Sequence, residues 1–338
     1  ADLYLLDTDL DVNDDPWISG QLYGWFGEQR IAQEMVLGIG GVRALRKLGV
    51  DLDIYHFNEG HALFAGFELI REKMEMGMSF VDAWSAAKGE IVFTTHTPVL
   101  QGNESHPLDR MMYMGANLGL SRAQLKRLGG SPFNMTVGGL RLAKKSNAVA
   151  QLHGVTANQM WRHVKDKTDI IGITNGIHLS TWVDEYMLSY ARKQDDSLWE
   201  RHQKNKADLI EFVKQKTGAR LDINQLLIGF SRRAVPYKRS DLIFGDMTVI
   251  DPLLRARKVQ IIFSGKGHPL DDRGKAIVKR LVGFQKKYPD AVVFLENYDM
   301  EIGAKMTRGS DVWLNNPRRP KEASGTSGMK AAMNGVLN

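Results

Sequence analysis

At 338 residues the chain is longer than one hydrophobic core usually grows, so two domains are the starting expectation. Apolar residues make up 43% and charged residues 25%, the balance of a globular protein rather than a disordered one, and the formal charge of +6 is modest and spread along the chain. The absence of cysteine excludes disulfides and thiol metal sites, no basic run interleaved with aromatics suggests a nucleic-acid groove, and neither a membrane span of ~18 apolar residues nor a signal-peptide pattern is present. The expected setting is cytoplasmic, with no nucleic acid, membrane or metal partner. The chain opens on Ala1 and stops at Asn338 inside a helical pattern, so both ends are expected to be cut from a longer protein.

Short apolar runs bounded by turn residues alternate with amphipathic stretches, the pattern of βαβ units on a parallel sheet and hence of an α/β fold. A strand at Leu3–Leu6 is followed by a helix at Gln33–Leu48, and a strand at Leu52–Phe57 by a helix at Ala62–Met76. Strands are predicted next at Ile91–Thr95, Val149–Val155 and Ile170–Thr174, and a helix at Ser197–Thr217. Strands at Leu226–Ser231, Val259–Ser264, Ala291–Leu295 and Val312–Asn315 then alternate with helices at Leu242–Ala256, Asp271–Tyr288 and Met300–Arg308. The charged stretch Asp195–Asn224 separates two sets of strands and places the domain division near residue 220. Gly38-Ile-Gly-Gly41 invites a dinucleotide reading, but it lies in a helical pattern with no strand directly before it, so close helix packing explains it better.

The unusual residues follow predicted strands, where ligands of doubly wound sheets sit. Phe57-Asn-Glu59-Gly-His61 and Phe93-Thr-Thr-His96-Thr-Pro98 end two of them, and Ile173-Thr-Asn175-Gly-Ile-His178 a third. A lone His at a strand end is more often structural than catalytic, and Asn58 could simply cap the next helix. Phe230-Ser-Arg232-Arg233-Ala-Val-Pro-Tyr237-Lys238-Arg239 gathers four cations after a strand, more than solubility requires and well suited to phosphate. Glu322-Ala-Ser324-Gly325-Thr326-Ser327-Gly328-Met-Lys330-Ala-Ala-Met-Asn334-Gly opens the last helix, with small residues and hydroxyls that let backbone N–H groups approach an anion. Taken singly, each segment has a bland alternative: a solvated basic loop for the first, an ordinary capped helix for the second.

Together and in this order, these segments resemble the α-glucan (glycogen/maltodextrin) phosphorylase family, in its short bacterial and archaeal-type branch. The resemblance runs from about residue 55 to 335. It implies two Rossmann-like domains of the GT-B glycosyltransferase type, incomplete at both ends. Residues 1–220 would be the C-terminal part of the N-terminal, glucan-side domain, and 221–338 the first part of the C-terminal, cofactor-binding domain. It further implies pyridoxal 5′-phosphate held as a Schiff base on Lys330, with Arg232, Thr326, Ser327, Gly328 and Tyr298 about the cofactor. Arg233 and Lys238 match residues that bind substrate phosphate, and His96 one whose backbone carbonyl faces the anomeric carbon. Asn175, Tyr237, Glu322, Ser324, Gly325, His61 and Glu59 fall among substrate-binding positions. The chain departs from the pattern in having Arg232 where the family has Lys, Ser327-Gly328 where animal enzymes have Gly-Asn, and Glu59-Gly60 in place of Asp-Thr.

The implied reaction is retaining phosphorolysis of an α-1,4-glucan by inorganic phosphate to glucose 1-phosphate, with the cofactor 5′-phosphate as general acid and base, in a protein that is a homodimer when full-length. Two other readings compete. A sugar-nucleotide-dependent glucan synthase of the same architecture would carry a carboxylate eight residues after Glu322, where this chain has Lys330. A catalytically silent glucan-binding segment would need neither Lys330 nor the 232–239 cations.

Overall fold

Among the described residues, eight parallel strands in two four-stranded sheets carry the fold, one sheet in each of two units that divide by their internal contacts at residues 174/175. The computed structural model describes residues 2–21, 26–193 and 197–338. Among them no helix is long and apolar enough to cross a membrane.

In the first unit β1 (Tyr55–Asn58), β2 (Ile91–Thr95), β3 (Lys145–Ala148) and β4 (Ile170–Gly172) lie side by side in chain order. Phe57 is in register with Phe93, and Thr95 with Ala148. Phe64, Phe67, Phe93 and Phe133 are fully buried at the centre of the core, and Phe67 meets Phe133 edge-on at 5.5 Å. The glycine-rich stretch forms a π-helical turn, Val36–Gly40, between helices Glu28–Met35 and Gly41–Lys47. A Cβ on Gly38 would stand 2.7 Å from the Ala65 nitrogen, so this glycine serves close helix packing, as its sequence context suggests.

Two predicted strands are corrected here. Leu3–Leu6 forms no strand, and Leu3 and Leu5 are each 82% exposed. The strand expected at Val149–Val155 lies earlier, at Lys145–Ala148, and Gln151–Met160 is helical. The apolar residues after Ala148 serve the helix, which Gly154 brings close over β4; a Cβ there would be 3.1 Å from the Gly172 nitrogen.

In the second unit β5 (Leu226–Ser231), β6 (Val259–Ser264), β7 (Val292–Leu295) and β8 (Val312–Trp313) stand in the order β8-β5-β6-β7. Every residue of β6 is buried, as expected of a central parallel strand covered on both faces. Alternation along the strand divides its side chains between two cores. Ile262 packs with Leu209, Phe212 and Met306, from helices Ser197–Thr217 and Met300–Gly309. Ile261 and Phe263 pack with Phe244, Leu254 and Leu281, the last two from helices Met247–Arg255 and Asp272–Lys287. Helix Ser197–Thr217 thus supplies core residues of the second unit, and the division falls near 175 rather than near 220. Its outward charge resembles a linker, while Leu209 and Val213 are completely buried. Asp195 and Asp196, which open the charged stretch, lie outside the described residues.

Burial also sets an acid sensitivity in the first unit. His153 is 2% exposed, accepts at Nδ1 from the Val149 N–H at 3.3 Å, and is pushed down to about 4 by burial and by His96. A histidine with a depressed folded pKa costs nothing above its unfolded pKa and withdraws stability as pH falls toward the folded value. We therefore expect unfolding free energy to drop by about 2–3 kcal/mol from this residue alone between pH ~6.5 and ~4. Urea titrations across that window should show a shallower drop for His153→Gln, and equal slopes would refute the assignment.

Candidate active site

In the second unit the chain lays β5, β6 and β7 outward in one direction, then returns to place β8 on the other flank of β5. Such a reversal opens a crevice at the carboxyl ends of the two strands that flank it, β5 and β8. Arg232 directly follows β5, and Asn315 lies two residues beyond β8. Arg232 donates through Nη1 to Asn315 Oδ1 at 2.8 Å, across the reversal, and through Nη2 to Glu322 Oε1 at 3.1 Å. Lys238 Nζ donates to both oxygens of the same carboxylate, at 3.0 and 2.9 Å. The Arg232 and Lys238 side chains are only 4% and 12% exposed. Burial lowers the pKa of both, and Arg232 lowers that of Lys238 further. One carboxylate thus faces two desolvated cations, a combination that favours a further anion. Beside them Ser324 Oγ is buried without a hydrogen-bond partner among the described residues. Gly265, at φ +138°, admits the Arg232 carbonyl, which a Cβ would meet at 2.0 Å.

Tyr237 is half-buried, with its pKa raised by burial and then by Glu322, and Lys238 Nζ lies 5.3 Å from the centre of its ring. Arg233 is exposed, and its guanidinium acts on the Tyr237 hydroxyl, opposing part of the upward shift there. Arg239, in the left-handed region, donates to the Asn316 carbonyl at 2.7 Å and so ties the basic turn to the loop after β8.

Helix Thr326–Ala332 carries Lys330. Its N-cap, Gly325, adopts φ +77°, a left-handed turn that glycine makes without strain, and its Cβ position lies 3.9 Å from Arg232 Nη2. Ser327 Oγ accepts from Trp313 Nε1 at 3.2 Å, and a Cβ on Gly328 would stand 2.9 Å from Asn315 Nδ2, so the first turn is packed against the end of β8. The Lys330 amine rests 3.1 Å from the centre of the Trp182 ring. That face attracts a cation, and burial holds the amine below the ordinary lysine value. Tyr298, its pKa raised by burial, approaches the same place: a Cβ on Gly303 would lie 2.5 Å from the Tyr298 hydroxyl and 3.3 Å from Trp182 Cζ3.

In the first unit Glu59 ends β1 at φ 64°, ψ −171°, a conformation costly for any residue with a Cβ. Its carboxylate accepts from the His96 N–H and, at 3.4 Å, from the Thr95 hydroxyl, so the strained residue fixes the backbone at the end of β2. The half-buried His96 ring has its pKa lowered by burial. Arg30 Nη2 donates to His61 Nδ1 at 2.6 Å and Arg30 Nε to Glu104 Oε1 at 2.8 Å. Burial alone would raise Glu104, but hydrogen bonds from His61 and Arg30 outweigh it and hold it well below the usual carboxylate range. Ligand atoms of Glu34, His61 and Glu104 lie within 4.8 Å of one another, a spacing that could hold a metal ion, and the Arg30 cation pairs with all three. Arg30, Glu34 and His61 line one side of a cleft of about 580 Å³.

Of the residues singled out from sequence, Arg232, Tyr237, Lys238, Glu322, Ser324, Gly325, Thr326, Ser327 and Gly328 gather at the β5–β8 crevice, with Lys330 on the helix that Thr326 opens and Tyr298, from the loop before helix Met300–Gly309, near the Trp182 ring. Glu59 and His96 meet in the first unit, where His61 pairs with Glu104, a residue outside the segments singled out. Asn175 stands at the junction of the units, and no hydrogen bond joins it to the crevice among the described residues. Trp182 and Asn315 were missed. Each lay close to a segment already noted, Trp182 seven residues past Asn175 and Asn315 at the end of a predicted strand, but their partners are set only by the fold.

A family model described as carbohydrate phosphorylase matches residues 168–338. A maltodextrin phosphorylase of Thermococcus litoralis is 41% identical over 99% of this chain and 46% of its own length. Glycogen phosphorylases of Aquifex aeolicus and Mycobacterium bovis are 36% and 37% identical over 99% of this chain, and 57% and 47% of their own lengths. The chain therefore spans about half the length of these curated relatives.

Proposed function

The chain belongs to the carbohydrate phosphorylase family, and from that premise we propose that its whole protein is an α-1,4-glucan phosphorylase, releasing glucose 1-phosphate from glucan with inorganic phosphate in the cytoplasm. The observation that carries this reading is the convergence of Arg232 and Lys238, both desolvated, on the single carboxylate of Glu322 beside the helix of Lys330. Fold and reading agree: two units with parallel sheets suit a pair of Rossmann-like domains of the GT-B type, the first facing glucan and the second a cofactor.

The crevice fits pyridoxal 5′-phosphate. Two buried cations, an unpartnered Ser324 hydroxyl and a helix start with no side-chain cap suit a phosphate; Trp182 and Tyr298 suit an aromatic ring; and a lysine amine with a lowered pKa is ready to be deprotonated. Lys330 would anchor the cofactor, with Arg232, Thr326, Ser327 and Gly328 at its phosphate and Tyr298 at its ring. Bound there, it supplies a phosphate that gives and takes a proton near neutral pH.

Arg233 and Lys238 would hold the substrate phosphate. Held so, that phosphate protonates the glycosidic oxygen as the bond to the anomeric carbon breaks, and then bonds to that carbon from the same face, so configuration is retained. Tyr237, Glu322, Ser324, Gly325 and Asn175 would orient the glucosyl unit, while Glu59, by fixing the His96 backbone, and His61 serve the glucan from the first unit. The wealth of cations follows from crowding two phosphates into one site.

The full-length protein, given maltodextrin and inorganic phosphate, is expected to form glucose 1-phosphate, measured by a coupled assay, and to form no glucan from a sugar nucleotide. Transfer from the sugar nucleotide would establish a synthase instead, and glucan binding without turnover a silent module. We further propose that the full-length protein is a homodimer.

A further inference from the structure

Helix Thr326–Ala332 is only seven residues long, so its closing carbonyls need partners from beyond it. Asn334, completely buried two residues after the helix, supplies one with its side chain. Asn334 Nδ2 donates to the Lys330 carbonyl at 2.7 Å and to the Trp182 carbonyl at 3.0 Å, while Oδ1 accepts from the Asp184 N–H at 2.8 Å. One carboxamide therefore joins the backbone of the lysine to the backbone of the tryptophan on which its amine rests. The tryptophan side is braced in turn. Arg308 donates to the Thr181 and Trp182 carbonyls at 3.0 and 3.3 Å, and Arg201 Nε to the Asp184 carboxylate at 2.9 Å.

We propose that Asn334 is a positioning residue for the Lys330 amine, setting its place on the indole ring by clamping together the two backbones that carry them. The inference rests on the reading of Lys330 as the point of cofactor attachment. An aliphatic residue at 334 would leave the Lys330 carbonyl without that donor and sever its tie to residues 182–184. The amine would then move away from the ring into water. Among charged groups on the packed elements, Asp184 is paired with Arg201, and Arg308 is bound to carbonyls, so burial is what depresses the amine. Loosening the clamp must return it toward an ordinary lysine.

The test uses the full-length protein and its Asn334→Ala and Asn334→Ser variants, freed of cofactor and exposed to pyridoxal phosphate between pH 6 and 10.5. Adducts are trapped with borohydride, and the peptide containing residue 330 is quantified, with melting temperatures measured in parallel. For Asn334→Ala the midpoint of the pH profile is expected to rise by about one unit, slowing trapping at pH 7 by about tenfold, since one unit is a tenfold change in the neutral amine. Asn334→Ser, which keeps a polar group in the site, should lie between and carries the test if the alanine variant does not fold. A lower melting temperature with the midpoint and neutral-pH rate unmoved would overturn the positioning role and leave a purely structural one. No adduct on Lys330 in the unmodified protein would instead overturn the reading of the site itself.

Discussion

Alanine at position 330 is expected to abolish covalent uptake of pyridoxal phosphate by the full-length protein and to cut phosphorolysis by at least about 10³-fold, within the range supplied by a positioned acid–base group. The chain should fold undisturbed. Among the described residues Lys330 makes no ion pair, and burial works against its charge, so truncation removes a burden rather than a support. The sign follows from linkage: an amine with a depressed folded pKa carries its full stability penalty below that pKa, and the penalty fades as pH rises from the folded to the unfolded value. Lys330→Ala should therefore melt no lower than the parent near neutrality. Absorbance of the cofactor-loaded protein, borohydride fixation and peptide mapping check the first part, and calorimetry the second. Covalent label or full turnover surviving in Lys330→Ala would remove the basis of the assignment.

Replacing Glu322 by alanine should have the largest effect on stability. Arg232 and Lys238 are both nearly buried and share that carboxylate, so its loss strands two cations, and breaking such a pair from one side costs about 3–5 kcal/mol. Inorganic phosphate or sulfate should restore much of the loss, because a ligand at one hundred times its dissociation constant returns about 2.7 kcal/mol. The same anions should stabilise the parent less, since there Glu322 already neutralises part of the charge of the two cations. Thermal shift with and without phosphate reads both effects; equal stabilisation of parent and Glu322→Ala would show that the anion binds elsewhere.

How much of this was legible in sequence depended on how each element is buried. β5 and β6 read cleanly, with the predicted ends, because central parallel strands covered on both faces are nearly continuous apolar runs, interrupted in β6 only by Gln260 before its closing Ser264. β3, Lys145-Ser-Asn-Ala148, carries no such run, so the apolar residues after it drew the prediction downstream. Helix Ser197–Thr217 was placed correctly yet assigned as a boundary, since composition does not tell a charged outer face from a linker when Leu209 and Val213 lie beneath it.

Within the site, the cations and Lys330 stood out by their density after strands, whereas Asn315 and Trp182 act through partners far away in the chain, as Asn334 does toward residues 182 and 184. The strain at Glu59 left no mark in its sequence, because a φ of 64° on a non-glycine residue is imposed by surroundings. The resemblance of short segments to a known family carried the reading of function where single residues did not.

The reversal of strand order in the second unit has a consequence for how the site comes into being. Arg232 meets Asn315 across 83 residues of chain, and meets Glu322 across 90. Contacts of such span close late, because loop entropy must be overcome before they repay it. A nascent chain that has folded β5, β6 and β7 possesses much of a hydrophobic interior but no place for an anion. On the proposed function, chemical competence would therefore arrive only with the last strand, and capture of phosphate by this unit would report that its assembly is complete.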